Sequence, residues 1–273
     1  MSYPNKNPNS FRVIVVGDVV GRPGREALKR HLMTLRSETA ADLVVANGEN
    51  AAGGAGIDPG TAREIKSSGV DIITLGDHAF QRKGAAELLN DNCDWCIRPA
   101  NLPTDSTPGR GDCVVTLADG LTVRVLNLLG RVFISGPTEC PFRAASSWLE
   151  RHVDSVPAIT ICDFHAEATS EKYAMARHLD GKISLLVGTH THVQTADAQL
   201  LPHGTGYITD LGMTGNQQGV IGMKSDVALQ RFLSPLPAPY QVEEGNGELR
   251  GIIADIDRIS HRAQAVYLLK TPQ

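Results

Sequence analysis

Apolar residues in this chain fall into short runs, each followed by a stretch whose apolar positions recur at helical spacing. RVIVV (12–16) precedes a predicted helix over 24–38, DLVVA (42–46) one over 59–68, and VDIITL (70–75) one over 83–91. Such alternation predicts an α/β fold with parallel strands. The middle breaks the rhythm: CVVTL (113–117) and LTVRVLNLL (121–129) flank Ala118-Asp119-Gly120, whose Asp-Gly predicts a hairpin. A helix over 142–153, the strand AITICDFH, a helix over 170–179 and the strand ISLLVGTH follow. GYITDL, LRGIIADIDRI and RAQAVYLLK predict further strands, read as antiparallel. No repeat or long linker divides the chain, so the economical organisation is a flexible segment over 1–10 and a single domain over 11–273.

The ends of the strands carry the chemistry. RVIVV ends in Gly17-Asp18, DLVVA in Asn47-Gly48-Glu49-Asn50, VDIITL in Gly76-Asp77-His78, AITIC in Asp163-Phe164-His165, and ISLLV in Gly188-Thr189-His190-Thr191-His192. Ligands bind at the carboxyl edge of parallel sheets, so these clusters can converge although they span about 175 residues. A lone histidine after a strand is usually structural, and Gly17-Asp18 lacks the register of a dinucleotide loop. Alternate histidines are harder to dismiss: residues i and i+2 of an extended segment point to one side, offering two imidazoles to one point or two adjacent ones.

Composition narrows the partners. A formal net charge of -4, with 26 basic and 30 acidic residues, leaves no basic tract for extended nucleic acid. The first residues lack the apolar core of a signal peptide and no run reaches membrane-spanning length, which predicts a cytoplasmic protein without a membrane anchor. Five scattered cysteines suit reduced thiols. Cys93 and Cys96 form a CxxC, but no second pair completes a zinc site.

Carboxylate, amide oxygen and imidazole without thiolate suit manganese, iron or zinc. Asp18, Glu49, Asn50, Asp77, His165, His190 and His192 exceed what one ion needs, so two divalent or mixed-valence ions are expected, iron or manganese ahead of zinc. Such a pair, about 3.5–4 Å apart, clamps a phosphoryl group and lowers the pKa of a shared water.

The order Asp, Glu-Asn, Gly-Asp-His, His, Thr-His-Thr-His resembles the calcineurin-like metallophosphoesterases, and within them the YmdB-like bacterial phosphodiesterases. NGEN stands in place of GDxxD and GTHTH in place of GHxH, and GDVVGRPGR, NGENAAGGAGI, RPANLP, DFHAEATSEKYA and GYITDLGMTG agree with that branch. The resemblance runs from about residue 12 to residue 269. It implies a two-sheet α/β/β/α sandwich and a metal-dependent phosphodiesterase in which a metal-bridging hydroxide attacks phosphorus of a 2',3'- or 3',5'-cyclic nucleotide or a similar diester. It further implies that Glu49 bridges two ions, with Asp18, Asn50 and His192 at one and Asp77, His165 and His190 at the other. His78 takes the place of the family's catalytic histidine, protonating the leaving oxygen. One departure stands out: the family has GNH where this chain reads Gly76-Asp77-His78, and the added negative charge is expected to tighten the ion and make the bridging water less acidic. A homo-oligomer, dimer or larger, is expected from the family alone.

Arg22 and Arg98 follow strand ends and are candidates to pair with a phosphate. Asp163, Glu167 and Asp210 are candidates to orient metal-bound imidazoles, and Gly53-Gly54-Ala55-Gly56 reads as a turning loop. A phosphomonoesterase such as a nucleotidase would use the same metals. An amidohydrolase is disfavoured because its HxH lies on the first strand, and a metal-loaded regulatory RNA-binding scaffold because the ligand set is complete.

Overall fold

In the computed structural model, which describes residues 3–103, 107–153 and 158–273, the chain runs β1 (Ser10–Val16), α1 (Gly21–Thr39), β2 (Leu43–Asn47), α2 (Pro59–Ser67), β3 (Ile72–Thr74), α3 (Ala85–Asp91), β4 (Asp112–Thr116) and β5 (Thr122–Leu129). It continues with α4 (Pro141–His152), β6 (Ile159–His165), α5 (Thr169–Leu179), β7 (Leu185–Thr189), β8 (Gln199–Leu200), β9 (Gly206–Ile208), α6 (Ser225–Leu233), β10 (Arg250–Asp257) and β11 (Ala263–Lys270).

Two mixed sheets result, one ordered β11-β10-β1-β2-β3 and the other β4-β5-β6-β7-β9-β8. The central strands are buried on both faces, which is why they read as unbroken apolar runs. In β1, Phe11, Val13 and Val15 enter a core between the sheets with Val45, Val125, Ile161 and Val187, while Ile14 and Val16 turn outward to Leu28, Leu32 and Ile65 of α1 and α2. On the far side, Leu128, Phe164 and Leu186 pack on Trp148 of α4 and Met175 of α5. The layers are therefore α/β/β/α, as the resemblance implies.

Local chemistry sets several boundaries. The α2 start follows from Asp58, whose side chain accepts from the backbone N–H groups of Gly60 and Thr61 while the Thr61 hydroxyl accepts from Asp58 N–H, with Pro59 at the first helical position. Arg12, opposite Asp255 in the β1–β10 register, donates through Nε and Nη2 to its two carboxylate oxygens at 2.6 and 2.7 Å. Within the N-terminal segment, Pro4 O accepts from Arg12, and Lys6 Nζ pairs with Asp42.

Two features differ from the expectations drawn from the sequence. β9 runs parallel to β7 and is antiparallel only to β8, because the loop after β7 crosses back before the strand starts. β10 and β11 do pair antiparallel. α6 is absent from the elements expected from the sequence, although Leu229, Phe232 and Leu233 recur at i, i+3 and i+4; these three face outward, and of the helix's apolar residues only Val227 and Ala228 are buried. Among the described residues, no helix is long and apolar enough to cross a membrane.

Candidate metal centre

The carboxyl ends of β1, β2 and β3 in one sheet meet those of β6 and β7 in the other. His165 ends β6 opposite Thr189 in β7, and Asn47 ends β2 opposite Thr74 in β3. Glu49, Asp77, His165 and His190 thereby place one ligand atom each within 4.8 Å of one another. His165 Nε2 lies 3.0 Å from Glu49 Oε1, 3.2 Å from Asp77 Oδ1 and 3.0 Å from His190 Nδ1. Ligands about 2.1 Å from a common ion at right angles would be separated by about 3.0 Å, so these spacings fit one cation.

A second group adjoins Glu49. The Asn50 side-chain amide sits 3.1 Å from Glu49 Oε1 and 3.1 Å from His192 Nε2, which is 3.9 Å from Asp18 Oδ1. Asp18 is fully buried and its Oδ1 has no hydrogen-bond partner. A buried carboxylate oxygen without a donor is costly, and a cation removes the cost. The donor set, four oxygen-bearing side chains and three imidazoles without thiolate, fits hard or borderline divalent ions.

The histidine pair reaches its places by a route the extended-strand expectation did not contain. β7 ends at Thr189, and His190 and His192 adopt φ values of 103° and 66°. Their imidazoles diverge, His190 toward Asp77 and His165, His192 toward Asn50 and Asp18. Left-handed backbone at a non-glycine residue costs about 1–3 kcal/mol and persists only where surroundings impose it. Here Asp210 accepts from the Thr191 N–H at 3.1 Å, and Asp210 itself pairs with the buried Lys172 at 2.6 Å.

Each imidazole is oriented through its other nitrogen. His192 Nδ1 lies 2.9 Å from Ile221 O, leaving the Nε2 lone pair toward Asn50 and Asp18. His190 Nε2 lies 3.0 Å from Glu167, leaving Nδ1 inward. His165 Nδ1 meets the Thr189 hydroxyl at 2.8 Å, and that hydroxyl donates to Asp163 at 2.7 Å. Asn47 and Thr74 also donate to Asp163. Asn47 and Thr189 belong to the strand-end clusters of the sequence without a role assigned there, and Thr74, a lone polar residue in an apolar strand, is the one that those clusters leave out.

The electrostatics are those of a cation site. Burial raises Asp18 well above the usual carboxylate range. Burial also opposes ionisation of Glu49 and Asp77, but the His165 imidazole beside both, joined at Asp77 by His190, outweighs it and holds both carboxyls low. Burial depresses His165, yet Glu49 and Asp77 more than compensate and raise it well above its usual value. Burial lowers His192.

Gly76 allows the close approach: a Cβ there would lie 2.2 Å from both Glu49 Oε2 and His165 Cδ2. Beside it, His78 stands at the rim, its N–H 3.2 Å from Glu49 Oε2 and its Nδ1 2.8 Å from the Gln81 amide nitrogen. The same Nδ1 lies 3.3 Å from Asp77 Oδ2.

The two arginines occupy different surroundings. Arg98 is buried, and its guanidinium donates to the carbonyls of Pro99, Thr107, Pro108 and Gly109, clamping that loop. Arg22 is exposed and lines a cleft of about 820 Å³ with Arg30 and Lys224 that contains none of the seven candidate ligands. Cys93 and Cys96 are free thiols. Gly53 and Gly54 have positive φ in a turning loop.

Residues 14–269 match the family described as YmdB-like protein. A 2',3'-cyclic-nucleotide 2'-phosphodiesterase of Bacillus subtilis is 42% identical over 253 residues, covering 93% of this chain and 94% of that protein. A crystal structure of a phosphatase from Mycoplasma pneumoniae superposes with a TM-score of 0.89 at 32% identity, covering 96% of this chain and 94% of the other. A hypothetical protein from Thermus thermophilus superposes with a TM-score of 0.87 at 38% identity, covering 96% of this chain and 99% of the other.

Proposed function

The chain belongs to the YmdB-like protein family, and from that membership and the convergent site we propose that it is a metal-dependent phosphodiesterase acting on 2',3'- or 3',5'-cyclic nucleotides or similar small diesters. The observation that carries the reading is the convergence of Asp18, Glu49, Asn50, Asp77, His165, His190 and His192 where the two sheets meet, with an orphaned buried carboxylate oxygen among them.

Asp77, His165 and His190 would hold one ion, and Asp18, Asn50 and His192 a second, with Glu49 between the groups. Iron or manganese suits these donors, zinc next. When bound, such ions supply Lewis acidity, drawing down the pKa of water and the charge on a phosphoryl group. His78 stands half-buried at the rim with its Nδ1 beside both Gln81 and Asp77, and as an imidazolium it would be placed to give a proton to a departing oxygen and be left as the neutral ring. Asp163, Glu167 and the Ile221 carbonyl keep the ligand nitrogens aimed inward.

A phosphomonoesterase is the second reading, favoured by the phosphatase from Mycoplasma pneumoniae that shares the fold. Parallel rates on 2',3'-cyclic AMP and on 2'-AMP, with the manganese-loaded protein, separate the two. The diesterase reading expects turnover of the cyclic substrate to exceed that of the monoester by at least tenfold; the reverse order would overturn it.

A further inference from the structure

A second cleft, of about 270 Å³, borders the candidate metal centre, with Gly76 and the candidate ligand Asp77 in its lining. Its other walls are apolar, from Phe80, Leu102, Pro103 and Leu129, and its rim carries hydroxyls from Ser135 and Thr138. Apart from Asp77, none of the described residues lining it is charged. Phe80 is 38% exposed, an aromatic side chain left to water beside a buried polar cluster.

We infer that this cleft is the subsite for the heterocyclic base of a nucleotide substrate whose phosphate sits at the metal centre. The inference rests on the phosphodiesterase reading and adds to it the part of the substrate that the metal ligands do not touch. Size selects one ring system: the volume falls just under the roughly 300–1,000 Å³ of pockets for drug-sized ligands. Charge disfavours a further phosphate, which would meet Asp77 with no cation opposite among the described residues. The chemistry of the walls suits a flat neutral ring, whose face packs on an aromatic or aliphatic surface while its edge reaches hydroxyls. The much larger cleft at Arg22 lacks this continuity, since it includes none of the candidate metal ligands.

Arg98 now has a use. Its guanidinium holds the carbonyls of Thr107, Pro108 and Gly109, and Thr107 in turn lines the cleft and bonds Pro103 O through its hydroxyl. It is a positioning residue for the wall of the subsite.

The test compares kcat/KM for 2',3'-cyclic AMP with that for glycerol 1,2-cyclic phosphate, the same strained diester without a base. Parent protein, Phe80→Ala, which removes the stacking face, and Ser135→Trp, which fills the cleft from its rim, are measured with manganese. The parent is expected to favour the base-bearing substrate at least tenfold, and both variants to lower that ratio by about tenfold or more, since stacking on an aromatic carries that order of discrimination. A ratio unchanged in both variants would overturn the subsite even if the enzyme is active. Should the parent hydrolyse neither diester, the phosphodiesterase reading fails separately, and calorimetric binding of 2'-AMP against inorganic phosphate decides the subsite. Tighter 2'-AMP binding by the parent that is lost in Phe80→Ala supports it, and equal binding contradicts it.

Discussion

His165 Nε2 and Glu49 Oε1 lie 3.0 Å apart although one ends β6 in the second sheet and the other follows β2 in the first. The metal cluster is therefore a seam between sheets. Its geometry depends on how closely the two carboxyl edges approach, and Gly76 and the loop after β7 set that distance.

Gly76→Ala should break the seam locally. The added methyl would lie 2.2 Å from Glu49 Oε2 and His165 Cδ2, both in buried side chains that cannot swing away. Metal affinity is expected to fall by about 10–100-fold, the scale seen when ligand support is lost. Metal content after dialysis checks this, and a fully loaded variant would refute it.

Lys172→Met tests the support beneath the histidine loop. Lys172 and Asp210 are 0% and 1% exposed as side chains and 2.6 Å apart. Removing one partner of a buried pair leaves an uncompensated charge, costing about 3–5 kcal/mol. Urea denaturation should show that loss, and Asp210→Asn in the same background should restore part of it. Equal stability of Lys172→Met and parent would show that the pair does not hold the loop.

Asp77 brings a carboxylate to the position where the resemblance to the metallophosphoesterases implies Asn. Asp77→Asn removes one negative charge from the cluster, so manganese should be retained less well and the alkaline rise of the pH-rate profile should move to lower pH. Unchanged metal preference together with an unchanged profile would sink this interpretation.

The pH dependence of metal-free protein follows from His165, raised above its usual value by Glu49 and Asp77 against the effect of burial. A raised histidine adds stability that is fully present below its unfolded pKa of about 6.5 and is lost as pH climbs through the folded value. The metal-free melting temperature should therefore fall above about pH 6.5. Ion binding must also displace that proton, so apparent affinity should rise with pH. Calorimetry in buffers of different ionisation enthalpy counts the protons released; zero release at about pH 7 would mean His165 is not a ligand.

The parallel strands and the clusters at their ends were legible because a doubly buried strand must be apolar and must stop where polar ligands begin. The seven candidate ligands follow from that rule without the coordinates. The turn at His190 and His192 was not legible, since its positive φ values are imposed by Asp210, Lys172 and Ile221 from other elements. Arg98 reads from sequence as an anion binder, and only the path of the loop after it shows four carbonyls around its guanidinium. Likewise the base cleft is assembled from Phe80, Leu102, Leu129 and Ser135, which share no periodicity.

A metal-dependent diesterase built around Glu49 must lose its activity with that carboxylate. Hydrolysis of 2',3'-cyclic AMP by manganese-loaded protein, beside Glu49→Gln prepared identically with metal content measured on both, tests it most directly. Turnover by the parent is expected, with a loss of roughly a thousandfold or more in the variant and fewer ions bound. Undiminished turnover in Glu49→Gln, or none from fully loaded parent, would contradict it.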